Sequence, residues 1–269
     1  MRVGLFIPCY IDQFYPQVGI ATLELLEKFG CEVVYPSNQT CCGQPMANSG
    51  FEHLTKGCND LFIKNFEEFD YIVSPSGSCV LHIKDHLHGA SADSAGGVHG
   101  SAAESGDHGS VAGGDVHGRG TTIPGKIYEL VEFMTDILQV SALDASFPFK
   151  VGIHQSCHGQ RGLKLAQMSE LMAAPFSKPL QLLNLVKGIE LINLTRQDEC
   201  CGFGGTFCVA EEAVSVKMGK DRVADHLHHG AEYITGSDMS CLMHMEGILH
   251  RQKSMVQVKH IAEILNSRL

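Results

Sequence analysis

Eight of the eleven cysteines in this 269-residue sequence fall into two matching sets: Cys9, the triplet Cys41-Cys42-Gly43 and Cys79, and then Cys157, Cys200-Cys201-Gly202 and Cys241. Four thiolates gathered by a fold form a ligand shell for a soft metal centre, and two such sets imply two centres, or one centre and a relic. Adjacent cysteines have Cα atoms about 3.8 Å apart, yet a regular strand would send their side chains to opposite faces. Each vicinal pair is therefore expected in a loop, with Gly43 or Gly202 supplying positive φ and a bare backbone that a bulky group can approach.

Four thiolates could hold zinc, but structural zinc sites are usually built from paired, closely spaced knuckles, and the sequence has no Cys-x-x-Cys. An iron–sulfur cluster is larger and accepts ligands from several loops. One cysteine, a vicinal pair and a distant fourth suit it better, and four thiolates complete a [4Fe–4S] shell, one or two per chain. A third chemistry is thiol–disulfide exchange, in which a vicinal pair forms a strained disulfide and one sulfur attacks a substrate thiol. The sequence has no Gly-x-Ser-x-Gly elbow, phosphate-binding Gly-x-x-x-x-Gly-Lys or strand-to-helix Gly-x-Gly-x-x-Gly, so nothing in it equips the chain for hydrolysis or hydride transfer alone.

The elements that must position these residues repeat as the cysteines do. Val3-Gly4-Leu5-Phe6-Ile7-Pro8 is a continuous apolar run of the kind that forms a parallel strand covered on both faces, and it ends at Cys9. Ile20, Leu23 and Leu26 have helical spacing with a stop at Gly30, and a second strand, Glu32-Val33-Val34-Tyr35-Pro36, precedes the first triplet. A third strand, Tyr71-Ile72-Val73, leads to Cys79. In the second half Lys150-Val151-Gly152-Ile153 leads to Cys157, Ile189–Leu194 precedes Cys200, and Glu232-Tyr233-Ile234-Thr235 leads to Cys241. A strand at Met255–Val258 and a helix around Ile261–Leu265 complete that half.

The fold class expected is α/β: two pseudo-symmetric domains, each a mainly parallel sheet flanked by helices, with cysteine-bearing loops at the C-terminal edge of the strands. The first domain is placed at 1–87 and the second at 123–269, with a linking helix at 126–140 and a separate core around each cysteine set. Between them, 88–122 is a Gly/His/Ser-rich segment expected to be flexible. His99, His108 and His117 recur in it every nine residues, which admits metal chelation or nothing beyond low complexity.

A 44% apolar composition suits a globular core, and no apolar run reaches the roughly 18 residues needed to span a bilayer. The amino-terminal run is too short for a secretory signal, the cysteine count is odd and the chain is not small, so a cytoplasmic protein with reduced or metal-bound thiols is expected. With 20 Lys and Arg against 30 Asp and Glu, a net charge of −10 argues against nucleic acid or anionic lipid as partner.

Cys41-Cys42-Gly43-Gln44-Pro45, Asn48-Ser49-Gly50, Pro75-Ser76-Gly77-Ser78-Cys79, His154-Gln155-Ser156-Cys157-His158 and the run Cys200-Cys201-Gly202-Phe203-Gly204-Gly205-Thr206-Phe207 together resemble the cysteine-rich CCG-domain family. That family also includes the cysteine-rich component of heterodisulfide reductase and the iron–sulfur component of glycolate oxidase, and this chain is most similar to its stand-alone two-domain members of lactate utilization. The resemblance implies an iron–sulfur electron-transfer subunit of a complex oxidising L-lactate to pyruvate. Its partners would be a ferredoxin-type iron–sulfur protein and a further subunit. A heterodisulfide-type reductase component and a zinc-stabilised interaction protein are the alternatives.

Family members holding a noncubane cluster end each set in Cys-x-x-Cys, whereas here the endings are Cys79-Val80-Leu81-His82 and Cys241-Leu242-Met243-His244. His82 and His244 are thus extra ligands or ordinary helix residues. His154 and His158 flank Cys157 and either tune a cluster through hydrogen bonds to sulfur or cap the following helix. Cys208 is an additional ligand or a residue buried in a turn. Cys31 and Cys58 stand outside the pattern and read as small buried residues, and Lys217, Lys220 and Arg222 as a solvated helix face.

Overall fold

The computed structural model describes residues 1–87 and 122–268; the expected insertion, apart from its last residue, lies outside them together with its histidines. Strands β1 (Arg2–Leu5), β2 (Glu32–Val34), β3 (Tyr71–Ser74) and β4 (Ile127–Glu129) form one sheet in the order β2-β1-β3-β4. Strands β5 (Lys150–Ile153), β6 (Glu190–Leu191), β7 (Tyr233–Thr235) and β8 (Gln257–Val258) form the other in the order β6-β5-β7-β8. Every pairing is parallel, and the registers match: Val3 lies between Val33 and Tyr71 as Val151 lies between Leu191 and Tyr233. The two-fold repeat of the cysteines is a two-fold repeat of the fold.

Two expectations are corrected at 123–140. Ile127–Glu129 is not helical but pairs with β3, because Ile127 and Glu129 both point into buried space at the open edge of that sheet. The first sheet is thus completed from beyond the insertion, and a boundary at 123 would cut it. A short helix at Ile123–Lys126 precedes this strand, and helix resumes at Leu130, where Glu129 accepts hydrogen bonds from the Val131 and Glu132 N–H groups in a capping box, and a π-helical stretch follows over Phe133–Ile137.

The core is also shared rather than divided. One apolar cluster joins Val3, Leu5, Leu25 and Leu26 of the first half to Val151, Ile234, Ile261, Ile264 and Leu265 of the second. A smaller cluster under the first cysteine set gathers Phe6, Phe62, Phe66, Cys42 and Cys79, and Leu163 and Leu165 of the second half close it. Polar contacts follow the same seam: Tyr15 donates to Glu246 at 2.7 Å and Gly77 N–H to Ser237 O at 3.3 Å. Among the described residues no helix is long and apolar enough to cross a membrane.

Candidate metal centres

In each half three parallel strands end at one edge and hand over a cysteine. Cys9 opens the Cys9–Phe14 helix after β1, and Cys157 occupies the same place after β5, immediately before a π-helical turn at His158–Gly162. Cys41-Cys42 and Cys200-Cys201 lie in loops beyond β2 and β6, as vicinal ligands require. Cys79 and Cys241 are each the third residue of a long helix, Gly77–His86 and Met239–Arg251.

These elements bring each set of four together. In the first, Cys42 and Cys79 sulfurs are 3.4 Å apart, Cys41 shares hydrogen bonds with Cys42 and Cys9, and Gly43 N–H donates to Cys41 Sγ at 3.4 Å. In the second, Cys200 is joined to Cys157 and Cys201, Cys201 to Cys241, and Gly202 N–H donates to Cys200 Sγ at 3.3 Å. All eleven cysteines are free thiols. Cys42, Cys79, Cys201 and Cys241 are buried, whereas Cys9 is exposed and Cys41, Cys157 and Cys200 are half-buried, so each set has a deep side and a rim.

The electrostatics follow from crowding. Hydrogen bonds from Cys42 and Cys9 hold Cys41 down to about 2, and those from Cys157 and Cys201 do the same for Cys200. Cys9 and Cys42 are pushed up, foremost by the hydrogen bond to Cys41, and Cys157 and Cys201 by that to Cys200. One thiolate held by neighbouring thiols is what four sulfurs do without a cation; a multivalent cation lets all of them ionise. The donor set fits a thiolate-ligated metal or iron–sulfur centre in both halves.

The glycines make the loops possible. Gly43 has φ +91° and Gly202 φ +83°, and a Cβ on Gly202 would stand 2.7 Å from both Ser215 O and Met218 Cβ, against 3.1 Å from Thr55 for one on Gly43. His82 is buried one turn after Cys79, with Nε2 3.7 Å from where a Gly43 Cβ would lie, and it helps to lower Cys41. His244, in the equivalent place, directs Nε2 at Ser215 O across 3.4 Å. His158 is half-buried beside Cys157, and Cys208 donates its S–H to Gly205 O at 3.1 Å. Cys31 is buried in the shared core, and Cys58 lies half-buried near Cys41.

His154 is placed closest to a sulfur set: one of its ring nitrogens and the sulfurs of Cys201 and Cys241 lie within 4.8 Å of one another. Its neighbour Arg222 overturns the reading of a solvated basic face, because it is fully buried and donates Nε–H to His154 Nδ1 at 3.2 Å. Lys217 and Lys220 do face solvent, and Lys217 pairs with Asp221. The signal for Arg222 was present in the spacing: Ser215, Gly219, Arg222 and His226 fall on one helical stripe, and all are buried. Asp238, which no motif singles out, lies between the two sets and caps its own helix through Ser240 N–H.

The model of the CCG cysteine-rich domain matches this chain twice, at residues 3–84 and 151–246. The chain is 40% identical over 267 residues to lactate utilization protein A of Exiguobacterium sp., covering 98% of this chain and 97% of the relative. It is 37% identical over 268 residues to the proteins of that name from Bacillus subtilis and Geobacillus sp. WCH70, with 100% of each chain covered. With both matched segments carrying a complete set of converging thiols, the chain belongs to the CCG cysteine-rich domain family.

Proposed function

We propose that the protein is the iron–sulfur electron-transfer subunit of a cytoplasmic complex that oxidises L-lactate to pyruvate. The observation that carries this reading is the gathering of four free thiols at each of two equivalent sheet edges. An iron–sulfur cluster held by such a set, [4Fe–4S] in type, supplies one-electron storage and relay. Cys42, Cys79, Cys201 and Cys241 would grip it from the buried side, and Cys9, Cys41, Cys157 and Cys200 would close the rim. Gly43 and Gly202 let the vicinal pairs turn inward.

Oxidation of lactate to pyruvate releases two electrons and two protons, and the centres take up electrons singly. The hydroxy acid is therefore oxidised on a further subunit, and a ferredoxin-type iron–sulfur protein exchanges electrons with this chain at the rim. The choice of lactate as substrate is supported by similarity to proteins named for lactate utilization.

Anaerobic purification followed by iron, acid-labile sulfide and zinc analysis, with electron paramagnetic resonance after reduction, tests the cluster. Iron with sulfide and a reducible signal is expected; stoichiometric zinc and no signal overturns the reading. A strain lacking the protein should fail to grow on L-lactate, and unimpaired growth would remove the substrate assignment.

A further inference from the structure

The two centres are alike in ligands and unlike in what stands behind them. In the first half Phe6 follows β1 and packs on Phe62 and Phe66, with ring centroids 5.0 and 5.9 Å away. Phe66 also lies over Gly4, where a Cβ would come within 2.8 Å of its ring. In the second half His154 follows β5, Arg222 lies against it, and His226 covers Gly152 with Nδ1 2.2 Å from where a Cβ would be. The helix registers agree: Thr55, Phe62 and Phe66 are spaced as Ser215, Arg222 and His226, and Thr55 and Ser215 abut Gly43 and Gly202 respectively. An aromatic trio behind the first set is thus replaced by a His–Arg–His trio behind the second.

The replacement has a definite chemistry. A guanidinium has five donors and no acceptor, so the His154 nitrogen that receives Arg222 Nε–H carries no proton. A neutral His154 must then carry its proton on Nε2, which is buried and has no hydrogen-bond partner among the described residues. Arg222 is itself fixed, donating to Arg196 O at 2.5 Å and Ile153 O at 3.1 Å and pairing with Asp225 at 3.5 Å. Its carboxylate partner stands on the Nη1 side, so the Nε–H dipole remains directed at His154.

We propose that Arg222 is a positioning residue that locks His154 as an Nε2–H donor to the sulfurs of the second centre, which makes that centre the more easily reduced of the two. The proposal rests on the iron–sulfur reading for its redox consequence but not for its tautomer. Hydrogen bonds to cluster sulfur stabilise the more negative, reduced state, and the Phe6 side of the first centre has none to give. Electrons reaching the chain would settle on the second centre.

Two measurements test this. Nitrogen-15 histidine spectra of the metal-free, reduced protein should show His154 as the Nε2–H tautomer, and an Nδ1–H tautomer overturns the proposal without any variant or metal. In the iron-loaded protein, potentiometric titration followed by electron paramagnetic resonance should give two signals, with C42S and C201S each removing one. H154F should leave the iron content unchanged and shift only the C201S-sensitive signal to lower potential, by roughly tenfold in its reduction equilibrium, about 59 mV for one electron. H154Q, whose amide can accept from Arg222 and donate onward, should restore part of the shift. An unmoved potential, or loss of the second centre's iron in H154F, overturns the donor role. Failure of the parent to load iron and sulfide overturns the iron–sulfur reading and the potential order, while the tautomer is still decided by the first measurement.

Discussion

Asp238 accepts a hydrogen bond from Ser78 N–H at 2.8 Å, across the seam between the two halves. The same carboxylate accepts from Ser240 N–H at 3.1 Å and from the Ser240 hydroxyl at 2.6 Å, so one side chain caps two helices that belong to different cysteine sets. Tyr10 reaches it as well, at 3.3 Å, while sharing a hydrogen bond with Ser76. Ser76 and Asp238 occupy equivalent places before Cys79 and Cys241 and pair as an isolated bridge between the halves. The two cysteine-bearing helices are therefore tied to one buried polar hub.

Asp238→Ala removes a cap from both helices at once and leaves buried N–H groups at Ser78 and Ser240. A loss of about 3 kcal/mol is expected from a helix cap plus a buried charged hydrogen bond. Metal should fall in both sets, although Asp238 belongs to the second half alone. Denaturant titration with metal analysis checks this, and a variant depleted only in the second set would show that the hub does not couple them.

The two loop glycines are not equally demanding. Both need a left-handed backbone, which costs a side chain about 1–2 kcal/mol, but only at Gly202 would a Cβ press on a backbone oxygen, at 2.7 Å; at Gly43 it meets the Thr55 side chain at 3.1 Å. G202A should lose metal from the second set and melt lower than G43A, which should keep both sets loaded. Equal damage in the two variants would place the cause in φ alone.

Strands, sheet edge and cysteine sets were legible because each is written locally: apolar runs without alternation mark parallel strands, and a repeated triplet marks a repeated loop. All-parallel pairing in both halves agrees with that reading. What escaped is what only packing creates. Ile127–Glu129 has no strand signature that outweighs the helical residues after it, and it becomes a strand because β3 offers an open edge. Arg222 looked solvated because charge usually is, although its spacing with Ser215, Gly219 and His226 already placed it inward. Asp238 is one acidic residue among thirty, and nothing in the sequence says that it faces Ser78.

A shared core makes the halves interdependent. Leu26 is fully buried in the cluster that contains Ile261, Ile264 and Leu265, so Leu26→Ala should cost about 2–5 kcal/mol and weaken both halves together. Hydrogen exchange read by mass spectrometry should then quicken in β5 and β7 as well as in β1. Faster exchange confined to the first sheet would mean that the cores are energetically separate despite their contact.

Acid stability isolates His226, behind the second cysteine set. His226 is fully buried, and both its ring nitrogens lack a hydrogen-bond partner among the described residues. Burial first, and then the charge of Arg222, hold it from an ordinary 6.5 down to about 2, and burial holds His260 down to about 4. Below pH 6.5 the unfolded chain binds protons at these histidines that the folded chain refuses, so stability is full above that value and falls with pH, His260's share ending near pH 4 and His226's running lower. Glu129 acts in the opposite sense: burial pushes it up, so its contribution falls as pH rises above its ordinary 4.5. His226→Phe places at Gly152 the side chain that Phe66 presents to Gly4, and leaves Glu129 and His260 untouched. Urea titrations of the metal-free, reduced protein at pH 7.5, 6.5 and 5.5 should show the parent losing up to about 1.4 kcal/mol more per pH unit than H226F on the acid side. Parallel acid limbs would mean that His226 already takes its proton when folded.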